Sequence, residues 1–264
     1  QYVCPSIWAW RMERVALLRE SVQHVLCLFP FEPGLLASHG IEATFVGHPL
    51  ADMIPDQPDR LQARLVLNIP NDREVVALLP GSRRDEIHRM TPRFLKAFRI
   101  LQLERPDLIG VLPAAPGVAK QVAQHVDKHP EVKNLYVLNG QSHLALAAAD
   151  AAMVTSGTAT LEAALFKCPM VISYDMPWLS WQITQAKRLQ PWVGLPNILC
   201  QDFVVPELLQ ERATPQAIAQ AVLSWLQPSS KKNQLKKTFE TLHQSLKADT
   251  PSLAIHAIEK VLSA

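Results

Sequence analysis

Two short segments carry residue types suited to holding an anion. The first is Leu79-Pro80-Gly81-Ser82-Arg83-Arg84-Asp85-Glu86-Ile87, where the apolar run Val75–Pro80 ends. Glycine lets the backbone approach a phosphate, serine adds a hydroxyl donor, and arginine adds a two-pronged charged fork. Gly81, Ser82 and Arg83 would equally make a plain strand-to-helix turn with a solvated arginine. The second segment is Thr155-Ser156-Gly157-Thr158-Ala159-Thr160-Leu161-Glu162, at the end of the run Ala151–Thr155. A helix opening on Ser156, Gly157, Thr158, Ala159 and Thr160 offers free N–H groups and hydroxyls to an anion. Glu162 follows one turn later. A carboxylate there repels phosphate and suits a neutral diol such as a ribose. A hydroxylated residue followed by glutamate is also the pattern of a capping box, and the segment alone leaves both readings open. On adjacent strands of one sheet, the two loops would hold both ends of a nucleoside diphosphate.

Weaker signals surround these. Asn197, in Leu195-Pro196-Asn197-Ile198-Leu199, is placed either to bond a ligand or to satisfy a turn. His48, in Phe45-Val46-Gly47-His48-Pro49, is either a ligand contact at a strand end or a packed histidine. Trp178 and Trp181 share a helical face ahead of Lys187-Arg188, a composition that fits a membrane interface and fits a core. Lys231, Lys232, Lys236 and Lys237 suit anionic head groups or a solvated helix face.

The elements that must position these residues alternate. Val22–Phe29, Thr44–Gly47, Val75–Pro80, Ile109–Leu112, Leu135–Leu138, Ala151–Thr155, Met170–Tyr174 and Trp192–Leu195 read as strands. Amphipathic stretches at Ala9–Ser21, Pro58–Leu67, Thr91–Glu104, Val118–Lys128, Ser142–Ala149 and Thr158–Lys167 read as helices. Near-continuous apolar strands separated by helices predict an α/β fold with parallel sheets covered on both faces. Pro49–Pro58, with three prolines and two aspartates inside or beside it, reads as a linker, and from Pro206 onward only helical periodicity is expected. The expected division is 1–48 as the end of a first Rossmann-like (acceptor) domain, 49–205 as a complete nucleotide-sugar-binding domain, and 206–264 as C-terminal helices packing across domains or subunits.

Composition narrows the class. The 264 residues are 48% hydrophobic with a net charge of +2, which suits globular cores and offers no field to hold nucleic acid. Cys4, Cys27, Cys168 and Cys200 are scattered, form no zinc pattern, and are expected as free thiols in a reducing compartment. The chain opens on Gln1 in an apolar strand-like stretch, and it is expected to be a fragment lacking an N-terminal portion.

Taken together, Pro5-Ser6-Ile7-Trp8-Ala9-Trp10, Phe29-Pro30-Phe31-Glu32, Gly47-His48-Pro49, Leu79-Pro80-Gly81-Ser82-Arg83, Ser156-Gly157-Thr158-Ala159-Thr160-Leu161-Glu162 and Leu195-Pro196-Asn197 resemble, in order and spacing, the lipid-A-disaccharide synthase family. These are bacterial two-Rossmann-domain (GT-B-like) glycosyltransferases of lipopolysaccharide assembly. The resemblance implies transfer of a diacylglucosaminyl unit from UDP-2,3-diacylglucosamine to 2,3-diacylglucosamine 1-phosphate, with inversion, giving a β-1,6 disaccharide and UDP. It implies no metal or cofactor, and it places Arg83 and Asn197 in the donor site and Glu162 on the ribose. It further implies peripheral action at the cytoplasmic face of the inner membrane, a possible homodimer, and a catalytic base outside these residues. The alternatives are a UDP-N-acetylglucosamine 2-epimerase type of enzyme on the same architecture, or an inactive fragment that binds UDP-sugar.

Overall fold

A computed structural model describes residues 1–263. They form two compact units. One comprises residues 1–55, 178–191 and 241–263; the other comprises 56–177 and 192–240.

The larger unit is built on a six-stranded, wholly parallel sheet. Its strands are β3 (Val75–Leu79), β4 (Ile109–Ala114), β5 (Leu135–Asn139), β6 (Ala151–Thr155), β7 (Met170–Tyr174) and β8 (Glu207–Leu209), in the order β5-β4-β3-β6-β7-β8. Every residue of β3, β4 and β6 is buried, as expected for strands covered by helices on both faces. Numbered within the unit, this is the doubly wound order 3-2-1-4-5-6, whose direction reverses between β3 and β6. Ligands of such sheets bind outside the carboxyl ends of the strands at that reversal, and both predicted anion loops leave those two ends.

The opposite end of the sheet is locked by an ion pair. Arg64 is 1% exposed; it donates to the carbonyls of Ala148, Asn71 and Arg73 and to the Asp150 carboxylate at 2.8 Å. Asp150 also accepts the Val75 N–H at 2.8 Å, joining the starts of β3 and β6. The helix Pro215–Leu226 covers one face, with the Trp225 indole N–H donating to the Met170 carbonyl at 3.0 Å.

The smaller unit has a two-stranded parallel sheet, β1 (Val25–Cys27) beside β2 (Ala43–Phe45). Cys4, Ile7, Leu18, Val25, Cys27, Leu36 and Ile41 form its core. The family-like motifs of this region converge on packing: Trp8 meets Phe29 and Phe31 edge-on, and Phe29 lies against His48. Buried Glu32 accepts the Trp8 indole N–H at 3.0 Å and the Leu28 and Phe29 N–H groups.

Several expectations are corrected. Trp192–Leu195 is not a strand; the sixth strand of the sheet is Glu207–Leu209, inside the region expected to be purely helical. The helix expected from Thr91 begins at Arg84 and carries Pro92 within it. The grouping of residues changes inside the helix Ser230–Leu246, and residues 178–191 group with the N-terminal residues. Helical periodicity identifies an apolar face but not the partner that covers it. All four cysteines are free, and Cys4, Cys27 and Cys168 are buried; burial pushes the Cys168 thiol up to about 12.

Candidate functional site

A cavity of about 530 Å³ opens at the carboxyl ends of β3, β4, β5 and β6. That volume suits a nucleotide-sized ligand. Its wall includes Gly81, Ser82 and Arg83 from the loop after β3, and Ser156, Gly157, Thr158, Ala159 and Glu162 from the loop and helix after β6. The two segments singled out in the sequence therefore face one space.

The first loop is organised by a residue the sequence reading left without a role. Glu86 is buried at 7% exposure, and its carboxylate accepts the N–H groups of Ser82 at 3.1 Å and Arg83 at 3.2 Å. It also pairs with the Arg83 guanidinium at 2.8 Å. Those loop N–H groups thus point at Glu86 rather than into the cavity. Gly81 has φ +109°, and a Cβ there would lie 2.5 Å from Glu86 Oε2. The glycine is required by this internal carboxylate and by its own backbone. Arg83 keeps its remaining donors, on a side chain that is mostly exposed. The spacing Arg83-x-x-Glu86 at the start of the helix Arg84–Glu104 was the available signal.

At the second loop, Gly157 adopts φ +148°, a region open in practice only to glycine, with nothing within 4 Å of where a Cβ would stand. The hydroxyls expected to line a cradle divide into two groups. Ser156 donates to the Val193 carbonyl at 3.2 Å, and Thr160 donates to the Gly157 carbonyl at 2.7 Å while accepting the Leu195 N–H at 3.2 Å. Ser156 and Thr160 thus brace the loops through their hydroxyls, and Thr160 does not line the cavity. Among the described residues the hydroxyls of Ser82 and Thr158 have no bond of this kind, and both residues line the cavity.

Glu162 does not cap its helix, whose N-cap is Gly157. It lines the cavity, accepts the Ser142 hydroxyl at 3.3 Å, and lies 3.4 Å from His143 Nε2. Sequence reasoning missed this side of the wall: Gly140, Gln141 and Ser142, from the loop after β5, and Pro113, Ala115 and Pro116 near the end of β4. Gly140 and Gln141 both have positive φ, and Asn139-Gly140-Gln141 between a strand and a helix was the missed signal.

Asn197 does not line the cavity. It is 0% exposed and fully committed: Nδ2 donates to the Val205 carbonyl at 2.9 Å and to Glu207 Oε1 at 2.8 Å, while Oδ1 accepts the Val205 N–H at 3.0 Å. Glu207 in turn accepts the N–H groups of Val193 and Gly194. Asn197 therefore positions the 193–195 segment against which Ser156 and Thr160 are braced, and the structure does not bring it together with Gly81–Arg83 and Ser156–Glu162 in the cavity wall. The carboxylate of Asp175 is likewise taken, by Arg89 at 3.3 Å and Arg93 at 2.7 Å.

In the smaller unit, His48 is a packed residue: Nδ1 accepts the Leu50 N–H at 3.2 Å, and burial holds its pKa below the ordinary histidine value. No residue of the helix Trp178–Lys187 is buried, and Trp178 is 71% exposed, so the core reading of that segment is not realised. The C-terminal lysines sit on a helix whose buried side is Leu235 and Phe239.

Comparison with known proteins decides the family. The sequence model of the lipid-A-disaccharide synthetase family matches residues 1–258. The chain belongs to this family. It is similar to the lipid-A-disaccharide synthases of Albidiferax ferrireducens, at 54% identity over 99% of this chain, and of Verminephrobacter eiseniae, at 50% identity over 99%. It spans 68% of the length of each of these relatives. Among solved structures it is similar to a Staphylococcus aureus MnaA–UDP co-structure, with TM-score 0.64 at 14% identity over 94% of this chain and 63% of that one. It is also similar to a putative UDP-N-acetylglucosamine 2-epimerase from Listeria monocytogenes, with TM-score 0.61 at 12% identity over 96% and 63%. These likenesses are of fold. The family is one of glycosyltransferases acting in lipid A biosynthesis, and an epimerase assignment is not favoured.

Proposed function

We propose that the cavity at the carboxyl ends of β3 and β6 holds UDP-2,3-diacylglucosamine, from which the family's reaction transfers the sugar to 2,3-diacylglucosamine 1-phosphate and releases UDP. The observation that carries this reading is the convergence of Arg83, Ser82 and the start of the helix Thr158–Leu165 on one space at the sheet's reversal point. Arg83 and the helix N-terminus stabilise the leaving diphosphate. Glu162 takes the ribose diol, oriented by Ser142 and His143. Asn197, Ser156 and Thr160 hold the loops in place. No carboxylate among these residues is assigned as the base, because Glu86 and Asp175 are engaged by protein donors.

Both substrates carry acyl chains, so the reading includes contact with the cytoplasmic face of the inner membrane. Trp178, Leu179 and Ile183 on a helix with no buried residue, followed by Lys187, support it. No helix among the described residues is long and apolar enough to cross a membrane. Pairing of two copies in a homodimer belongs to the same proposal.

The test is calorimetric titration of this chain with UDP. Saturable binding is expected, and Arg83→Ala should weaken it by about 2 kcal/mol, roughly thirtyfold, the worth of a charged hydrogen bond to phosphate. Unchanged affinity in that variant removes Arg83 from the site. Binding of UDP without turnover of acylated substrates would favour the binding-fragment alternative.

A further inference from the structure

Thr155, the last residue of β6, lies in the cavity wall between the two loops. It is 3% exposed, and its hydroxyl has no hydrogen-bond partner among the described residues. Neighbouring hydroxyls are spent elsewhere. Ser173, its register partner on β7, donates to the Leu208 carbonyl at 3.1 Å, and Ser156 donates to Val193. A buried hydroxyl without a partner destabilises the fold relative to a methyl group of the same shape. The four preceding residues of the strand, Ala151, Ala152, Met153 and Val154, are all apolar, and valine would fill the space of Thr155 without that penalty.

A threonine carries its hydroxyl and methyl on one carbon, so a turn about χ1 between staggered positions brings the hydroxyl to where the methyl stood and leaves the backbone in place. Val154 pairs with Leu79 across β3 and β6, which puts Thr155 beside the Gly81–Arg83 loop and directly before the start of the helix Thr158–Leu165. We propose that Thr155 is a ligand-contacting residue of this cavity, its hydroxyl turning to donate a hydrogen bond to a phosphate oxygen of the bound nucleoside diphosphate. Phosphate oxygens accept and do not donate, so a hydroxyl hydrogen is the complement they require. The contact rests on the nucleotide reading of the cavity given above.

The experiment titrates the full 264-residue chain with UDP and with uridine, and follows thermal unfolding without nucleotide, for the parent, Thr155→Val and Thr155→Ser. Thr155→Val should leave the unfolding midpoint unchanged or raised, and should weaken UDP about tenfold with uridine unaffected. Thr155→Ser, which keeps the hydroxyl, should bind UDP within about threefold of the parent. A Thr155→Val chain with parental UDP affinity overturns the contact. Equal losses in the valine and serine variants also overturn it, since packing would then be responsible, and an equal loss for uridine moves the effect off the diphosphate. A parent that takes up no UDP overturns the nucleotide reading of the cavity and this contact with it; a parent that binds while Thr155→Val matches it overturns the contact alone.

Discussion

Replacing Asn197 by alanine separates a ligand contact from a brace. The side chain makes three hydrogen bonds at 2.8–3.0 Å at a site with no exposure. Alanine leaves both the N–H and the carbonyl of buried Val205 without these partners, while Glu207 keeps the N–H groups of Val193 and Gly194. Each buried polar group left unpaired is worth about 1–3 kcal/mol, so the variant should lose about 3–4 kcal/mol of stability. For a chain of this size that lowers the unfolding midpoint by roughly 6–15 °C. Asn197→Asp should be worse, because it removes both donors and sets a second carboxylate beside Glu207. Calorimetric unfolding measures the loss, and UDP titration well below the transition measures the site. UDP affinity should change by less than about threefold, because Thr160 and Ser156 still brace the loop. A midpoint within a degree of the parent, together with a tenfold loss of UDP affinity, would refute the reasoning and return Asn197 to the ligand.

Other substitutions test the same framework. Glu86→Ala should lose about 1 kcal/mol, the usual worth of a helix cap, and Glu86→Gln less, since its amide oxygen still accepts the Ser82 and Arg83 N–H groups; denaturant unfolding that ranks them in reverse contradicts the geometry. Arg64→Met strands three backbone carbonyls and leaves Asp150 with Arg60 as its remaining arginine, and should lose roughly 3 kcal/mol in the same assay; a loss below 1 kcal/mol would mean that the buried network contributes nothing net. Stability should also fall with pH on account of His48. Its folded pKa is lowered by burial, so below about pH 6.5 the unfolded chain takes up a proton that the folded chain resists. His48→Asn preserves an acceptor for the Leu50 N–H and should flatten the change in midpoint between pH 7.5 and 5.5; equal slopes for parent and variant would exclude His48 as the source.

The parts of this protein that were legible in its sequence are those fixed by local repetition. Val75–Leu79, Ile109–Leu112 and Ala151–Val154 are unbroken apolar runs between helical patterns, and such runs settle a parallel sheet; once they pair in doubly wound order, the loops after β3 and β6 must meet. What was illegible depends on partners distant in sequence. Strand β8 has three residues, too few to show a period, yet it carries Glu207, the group that explains both Asn197 and the turn at Val193. A sequence counts the hydroxyls of Ser156, Thr158 and Thr160 as equals, but hydrogen-bond accounting turns those of Ser156 and Thr160 into braces, although Ser156 and Thr158 both line the cavity. The same accounting gives Glu86 a role: its carboxylate holds the N–H groups of Ser82 and Arg83 and the Arg83 guanidinium. Polar residues near a site therefore divide by which of their donors and acceptors the protein has already used. The remainder, Arg83, Thr158, Glu162 and the unspent hydroxyl of Thr155, are the groups on which the proposed ligand contacts rest.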